Sequence, residues 1–306
     1  PYGFSVSGFV RTAALLTLDG LKAYDGAGCR NIPTLSGILF DGTHLQPAKN
    51  DADGAVCGKA QLYTSPKYAA PKPLQAGGIV VAANAGSDYL FVPDGDANTV
   101  RAAVTSLQSR LQFGAVFVSE KYGDIPGTLP MRLINAESPA PGRGPDIIVS
   151  FNFDEHIAVA GRPGISYASS VNRRGDHGSF SRTDTHISMM AHGPDFKSAM
   201  LDTLPTANVD IAPTVARILG LNMPGVQGRV LEEALKGGPP VTDYTLVGKT
   251  YRSSQRNGLK MKLPTDVDGR SIDPNLSTYS VELAAKILTR GSVSYTYFDQ
   301  AKAIRE

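Results

Sequence analysis

From Gly78 onward the chain alternates short apolar runs with one strongly periodic polar segment, and few folds tolerate that rhythm. Ile79 to Ala83, Tyr89 to Val92, Ala115 to Val118 and Asp146 to Phe151 are each four to six residues long and rich in branched or aromatic side chains. Runs of this length read as buried strands. Between them Val100, Val104, Leu107 and Leu111 keep helical spacing behind Asp94 or Asp96, either of which can cap a helix. Strands that alternate with helices predict an α/β fold, a mainly parallel sheet sandwiched by helices. A chain of 306 residues with 42% hydrophobic and 19% charged residues has enough apolar material for one large domain of this kind.

The flanking segments extend the pattern. Ala13 to Leu18 is an apolar run stopped by Asp19-Gly20, and it reads as a buried strand carrying a carboxylate at its C-terminal end. Open α/β sheets bind ligands at that end of their strands. Asp-Gly is equally a common turn, and both readings stand at this point. Asn31-Ile32-Pro33-Thr34-Leu35 opens a predicted helix, with Leu35, Ile38 and Leu39 on one face and Asp41-Gly42 at its end. Residues 47–78, rich in Pro, Gly, Ala and Lys, form a long irregular excursion. Asp210 to Leu219 reads as a helix with an Asp cap, an early proline and Gly220 just beyond its end. After Gly237-Gly238-Pro239-Pro240, the stretch from Tyr244 to Leu263 alternates like strands. The expected organisation is an α/β domain over 1–240 and a small C-terminal β-rich appendage over 241–306, packed on the same domain.

A formal net charge of +2 implies no strong electrostatic attraction to nucleic acid or an anionic membrane, no nucleic-acid-binding surface is evident, and no apolar run approaches the ~20 residues needed for a membrane span. Cys29 and Cys57 are the only cysteines. They form one disulfide, which would place the chain in an extracellular or periplasmic setting, or they are free thiols. The first residue is Pro1, not Met, which fits an N-terminus that has been processed, trimmed or left undetermined.

The densest chemistry lies in Gly175-Asp176-His177-Gly178-Ser179, followed by Asp184, His186 and Ala191-His192-Gly193-Pro194. Three of the five histidines fall in this short stretch, with Asp176 and Asp184 among them. Imidazole and carboxylate together suit a borderline divalent metal such as zinc. The alternative is a polar surface loop with incidental histidines.

These residues carry a resemblance. Gly-Asp-His-Gly-Ser followed by Met-Ala-His-Gly-Pro-Asp-Phe-Lys is similar to the histidine-glycine metal motif of the alkaline phosphatase superfamily, in its type I phosphodiesterase and nucleotide pyrophosphatase branch. Asn208 to Leu221 and Gly228-Arg229-Val230-Leu231 resemble that branch's C-terminal helix and Gly-Arg-x-Leu segment. Leu18-Asp19-Gly20-Leu21 resembles its first metal-binding strand, and Pro33 to Gly42 resembles the helix after it. The resemblance implies an alkaline-phosphatase-like fold and a hydrolase with one or two ions, most simply zinc, acting on a small-molecule phosphate ester or nucleotide. It implies Asp19, Asp176, His177 and His192 as metal residues. In the window where the family's nucleophile falls stands Cys57, with Thr64 the nearest threonine, and these are the candidate catalytic residues. The sulfatase pattern Cys-x-Pro-x-Arg is absent around Cys57. The Asp-x-x-Gly-His motif is missing, and an Asp-His-Gly is replaced at Val118-Ser119-Glu120-Lys121-Tyr122-Gly123. The chain therefore reads either as a phosphoesterase lacking central segments or as a degenerate, non-catalytic member used for binding or structure. A sulfatase using Cys57 is a weaker third reading.

Overall fold

A computed structural model describes residues 4–25, 37–40, 45–48, 75–138, 140, 142–159, 162–169, 175–262 and 275–306. Its centre is a six-stranded mixed sheet. The strands are β2 (Lys22–Asp25), β5 (Gly78–Asn84), β6 (Ser87–Phe91), β7 (Phe113–Val118), β8 (Leu129–Pro130) and β9 (Ile147–Phe151), in the order β2-β5-β6-β9-β7-β8. β7 (Phe-Gly-Ala-Val-Phe-Val) and β9 are buried along their whole length, which requires cover on both faces. Helix α1 (Thr12–Leu18) and helix α2 (Ala97–Gln108) contribute Ala13 to Leu16, Val100, Val104 and Leu107 to the core that β5, β6, β7 and β9 complete.

The α/β class holds, but the sheet is not mainly parallel. β2 with β5 and β7 with β8 are parallel, while β5 with β6, β6 with β9 and β7 with β9 are antiparallel. The cause is local. Only Ala85 and Gly86 separate β5 from β6, and a two-residue connection joins antiparallel neighbours, since a parallel crossover needs a dozen residues or more. Ala85 has φ of 60°, the positive value a tight hairpin turn demands.

Two further expectations are overturned. Ala13 to Leu18 is helical, not a strand. The run Ala-Ala-Leu-Leu-Thr-Leu lacks the β-branched content of a strand and is built from the best helix formers, and Thr17 returns its hydroxyl to the Ala13 carbonyl at 2.8 Å. Ile38-Leu39-Phe40 belongs to β3 (Gly37–Phe40), which pairs antiparallel with β4 (Leu45–Ala48), where a helix was expected. A short apolar run has no period of its own, and its pairing partner decides its form. The first residues of that expected helix, the excursion from 49 to 74, Cys29, Cys57 and Thr64 lie outside the described residues.

Asp96, not Asp94, caps α2, accepting from the Asn98 and Thr99 amides at 3.1 and 3.0 Å. At the other end the Arg305 guanidinium donates to the carbonyls of Arg110 (3.0 Å) and Phe113 (2.7 Å), placing a cation where the helix dipole is negative. A second sheet has the order β10-β11-β1-β12, from β1 (Phe4–Phe9), β10 (Phe153–Val159), β11 (Arg162–Ala168) and β12 (Gly175–Asp176). The C-terminal stretch makes a three-stranded antiparallel sheet of β13 (Thr245–Arg252), β14 (Ser280–Arg290) and β15 (Val293–Ile304), with β14 central. It meets the main sheet through Tyr279, whose hydroxyl donates to the Gly114 carbonyl, and through the ring series Phe117–Phe180–Phe298, spaced 5.1 and 5.4 Å. The expected helix near Asp210 is α4 (Ile211–Ile218), ended at Gly220 with φ of 66°. Its Asp210 carboxylate binds the Ala207 and Arg229 amides at 2.9 Å each instead of the first helical amides. Among the described residues no helix is long and apolar enough to cross a membrane.

Candidate functional site

β2 runs with β5, and β9, twice reversed through β6, runs with β5 as well. The carboxyl ends of these three strands therefore share one edge of the sheet, the edge at which α/β folds hold ligands. The glycine-flanked histidine is seated there. The Gly86 amide donates to the His177 carbonyl at 2.9 Å, and the Gly86 carbonyl accepts from the Phe151 amide at 3.0 Å. The approach is so close that a Cβ on Gly86 would lie 2.3 Å from the Ser179 nitrogen. Only glycine fits.

The residues after His177 lock the loop. Ser179 donates from its amide and its hydroxyl to one carboxylate oxygen of Asp184, at 2.9 and 2.6 Å. The Phe180 amide donates to the Ser150 hydroxyl at 3.2 Å, and its ring is buried. Ser181 caps the short helix α3 (Arg182–Thr185). His186 then binds Asp299, which Arg182 also reaches at 3.1 Å. His177 is left with its backbone fixed and its residue exposed to solvent. Position is supplied by rigid packing, and access is open.

Beside this edge lies a carboxylate that sequence reasoning missed. Asp88 is fully buried in β6. It accepts from the Thr12 hydroxyl at 2.6 Å and from the Asn84 amide at 3.1 Å. Burial pushes its pKa up to about 6; the hydrogen bonds from Thr12, Asn84 and Ser169 oppose that rise, and the charge of Asp25 adds to it. Asp25 is itself paired with Arg11 at 2.9 Å, both side chains buried. An acid pinned between a strand and the first turn of α1 has one signal in sequence, a lone charge inside an apolar strand, and it is a weak one.

Asp19 sits elsewhere and does other work. It follows α1, seven residues after Thr12, so the helix puts about 10 Å between it and the Asp88 edge. The chain then enters β2 at Lys22, which pairs with Gly78 at the amino end of β5. Arg110 reaches Asp19 at 2.7 Å, Lys262 at 2.5 Å, and the Ser106 hydroxyl donates to its second oxygen. Burial works to raise its pKa, but the hydrogen bonds from Lys262 and Ser106 and the charges of Arg110 and Lys262 outweigh burial and hold the carboxyl below its ordinary value. A carboxylate facing two cations does not fit a metal ligand, and the structure does not bring it to the His177 loop.

His192 is exposed, in a segment that turns at Gly193. The backbone of Asp176 pairs with Phe4 in β12. Among the described residues no group of three or more His, Cys, Asp or Glu side chains gathers as an ion site.

The Gly228-Arg229 pair has a structural explanation. A Cβ on Gly228 would lie 2.1 Å from the Val209 carbonyl oxygen. Arg229 then forms a buried fork with Glu233, at 2.7 and 2.6 Å, while its Nε donates to the Tyr297 hydroxyl at 2.7 Å. Tyr297 in turn donates to Asp210 at 3.0 Å. This network clamps α4 to β15. No family model, curated protein or solved structure matches the chain.

Proposed function

We propose that the chain is a metal-dependent hydrolase of phosphate esters, of the phosphodiesterase or nucleotide pyrophosphatase kind, on an alkaline-phosphatase-like fold. The observation that carries the reading is the seating of the glycine-flanked His177 at the carboxyl edge of β2, β5 and β9, held through Gly86 and the Ser179–Asp184 bonds. A histidine whose backbone is held rigidly while the residue is exposed to solvent suits metal or phosphoryl chemistry. His177 and its neighbour Asp176 are the residues that would hold a divalent ion such as zinc, which would supply Lewis-acid activation of the phosphorus centre. Asp19 has no part in this reading, because its oxygens are taken by Arg110, Lys262 and Ser106.

The test is hydrolysis of bis(p-nitrophenyl) phosphate by the zinc-loaded protein, with metal content measured on the same sample. Turnover that disappears in His177→Ala, together with a lower metal content, supports the reading. A protein that binds no divalent metal and shows no turnover overturns it. The engagement of Asp19 favours a second reading, a non-catalytic member of the same fold. Activity lost on His177→Ala would exclude that second reading.

A further inference from the structure

The three-stranded C-terminal sheet has two edges, and they are treated differently. The β15 edge is covered: the Asn135 side chain donates to the Thr296 carbonyl at 3.0 Å, and the Ala301 amide donates to the Phe180 carbonyl at 2.8 Å. Among the described residues nothing pairs with the β13 edge, since β13 pairs only with β14. Seven of its eight residues are exposed, including Leu246 and Val247 at 41% and 55%. An edge of eight residues, about 27 Å of unpaired backbone, is a template for another strand.

Charge normally guards such an edge, yet both charges here are engaged within the chain. The Lys249 ammonium lies 4.6 Å from the centre of its own neighbour's ring, Tyr251, and Arg252 pairs with Glu282 at 3.0 Å. At the middle stands Gly248, where an added Cβ would meet nothing within 4 Å.

We infer that β13 is a self-pairing edge that joins two copies of this chain through antiparallel β13 strands related by a two-fold axis at Gly248. A two-fold axis perpendicular to a sheet sets one residue opposite its own copy, and residues equally spaced from it pair reciprocally. Centred on Gly248, the register sets Val247 against Lys249 of the second copy, Leu246 against Thr250, Thr245 against Tyr251 and Tyr244 against Arg252. No two like charges face each other in this register. Centred one residue later, Lys249 would face Lys249, which like-charge repulsion disfavours. The result is a continuous six-stranded antiparallel sheet across the dimer.

Sedimentation velocity over an about hundredfold range of concentration tests the inference, because self-association follows mass action. The expected result is a dimer that dissociates on dilution. Val247→Lys places an ammonium opposite Lys249 of the second copy and should raise the dissociation constant about tenfold or more. Position 247 is exposed, so an unchanged circular dichroism spectrum should accompany the loss. Adding Lys249→Glu to that variant turns the repulsion into attraction and should restore dimerisation. A monomer at every concentration overturns the inference, as does an edge that takes only a foreign strand. A dimer indifferent to Val247→Lys, or one not rescued by the charge exchange, overturns it equally.

Discussion

Replacing Asp88 by asparagine should change how stability depends on pH, and the size of the change follows from the site. The carboxyl is fully buried and its pKa is raised from 3.8 to about 6. A raised acid binds its proton more tightly folded than unfolded, so its contribution favours the fold at low pH and is lost as pH rises through about 6. The limiting size is about 3 kcal/mol, from about 1.4 kcal/mol per factor of ten in proton affinity. Between about pH 7.5 and about pH 4 the wild type should gain about 2–3 kcal/mol on the variant, a little under the limit, since the unfolded carboxyl still titrates at the acid end. The amide also has a cost independent of pH. Its nitrogen must face the Thr12 hydroxyl or the Asn84 amide, both donors to Asp88, and one bond must turn or break. That cost cancels when the same pair of proteins is compared at two pH values. Urea unfolding of both proteins across this range, read as the difference in free energy, is the assay. A difference that stays constant to within about 0.5 kcal/mol across the range would refute the reasoning, for it would mean the carboxyl titrates normally.

Asp19→Asn should destabilise by about 3–5 kcal/mol, because Arg110 and Lys262 lose their counter-charge. Its carboxyl is held low, so that contribution should be present above about pH 4 and fade as pH falls below it, opposite in sign to Asp88 and separable by thermal unfolding of the two variants. Arg229→Met alone should cost a similar amount by leaving Glu233 buried and unpaired, whereas Arg229→Met with Glu233→Leu should recover much of the loss in the same melting experiment. Gly86→Ala should displace residues 177–184. Hydrogen exchange should therefore rise most in that loop, and hydrolysis, where the wild type shows it, should fall with it.

Where the sequence carried a strong period or a run of branched residues, the fold could be read from it. α2, β7 and β9 lie where Val100, Val104, Ala115 to Val118 and Ile147 to Phe151 put them. Strand direction was harder, because apolar runs look alike in parallel and antiparallel sheets. The signal was nonetheless present, since two residues, Ala85 and Gly86, cannot carry a chain back to a parallel neighbour. The misreading of Ala13 to Leu18 has the same origin: a run apolar on every side has no face, and propensity then decides between helix and strand.

The site was legible to the same uneven degree, and one residue shows why. An aspartate at the end of an apolar run is a fair candidate ligand while its surroundings are unknown. What decides its chemistry is which charges the fold delivers to it. For Asp19 those charges come from Arg110, past the end of α2, and from Lys262, in the chain between β13 and β14. Neither is near it in sequence, and together with Ser106 they convert a possible ligand into the anchor of a buried ion pair. His177 differs because its neighbours in sequence do the positioning. The glycine after it, Ser179 and Asp184 lie within eight residues and fold the loop on itself, while Gly86, Ser150 and Asp299 tie it to the sheets. A site built from local contacts can be seen in a sequence, whereas one built from distant charges is seen only when the chain is folded.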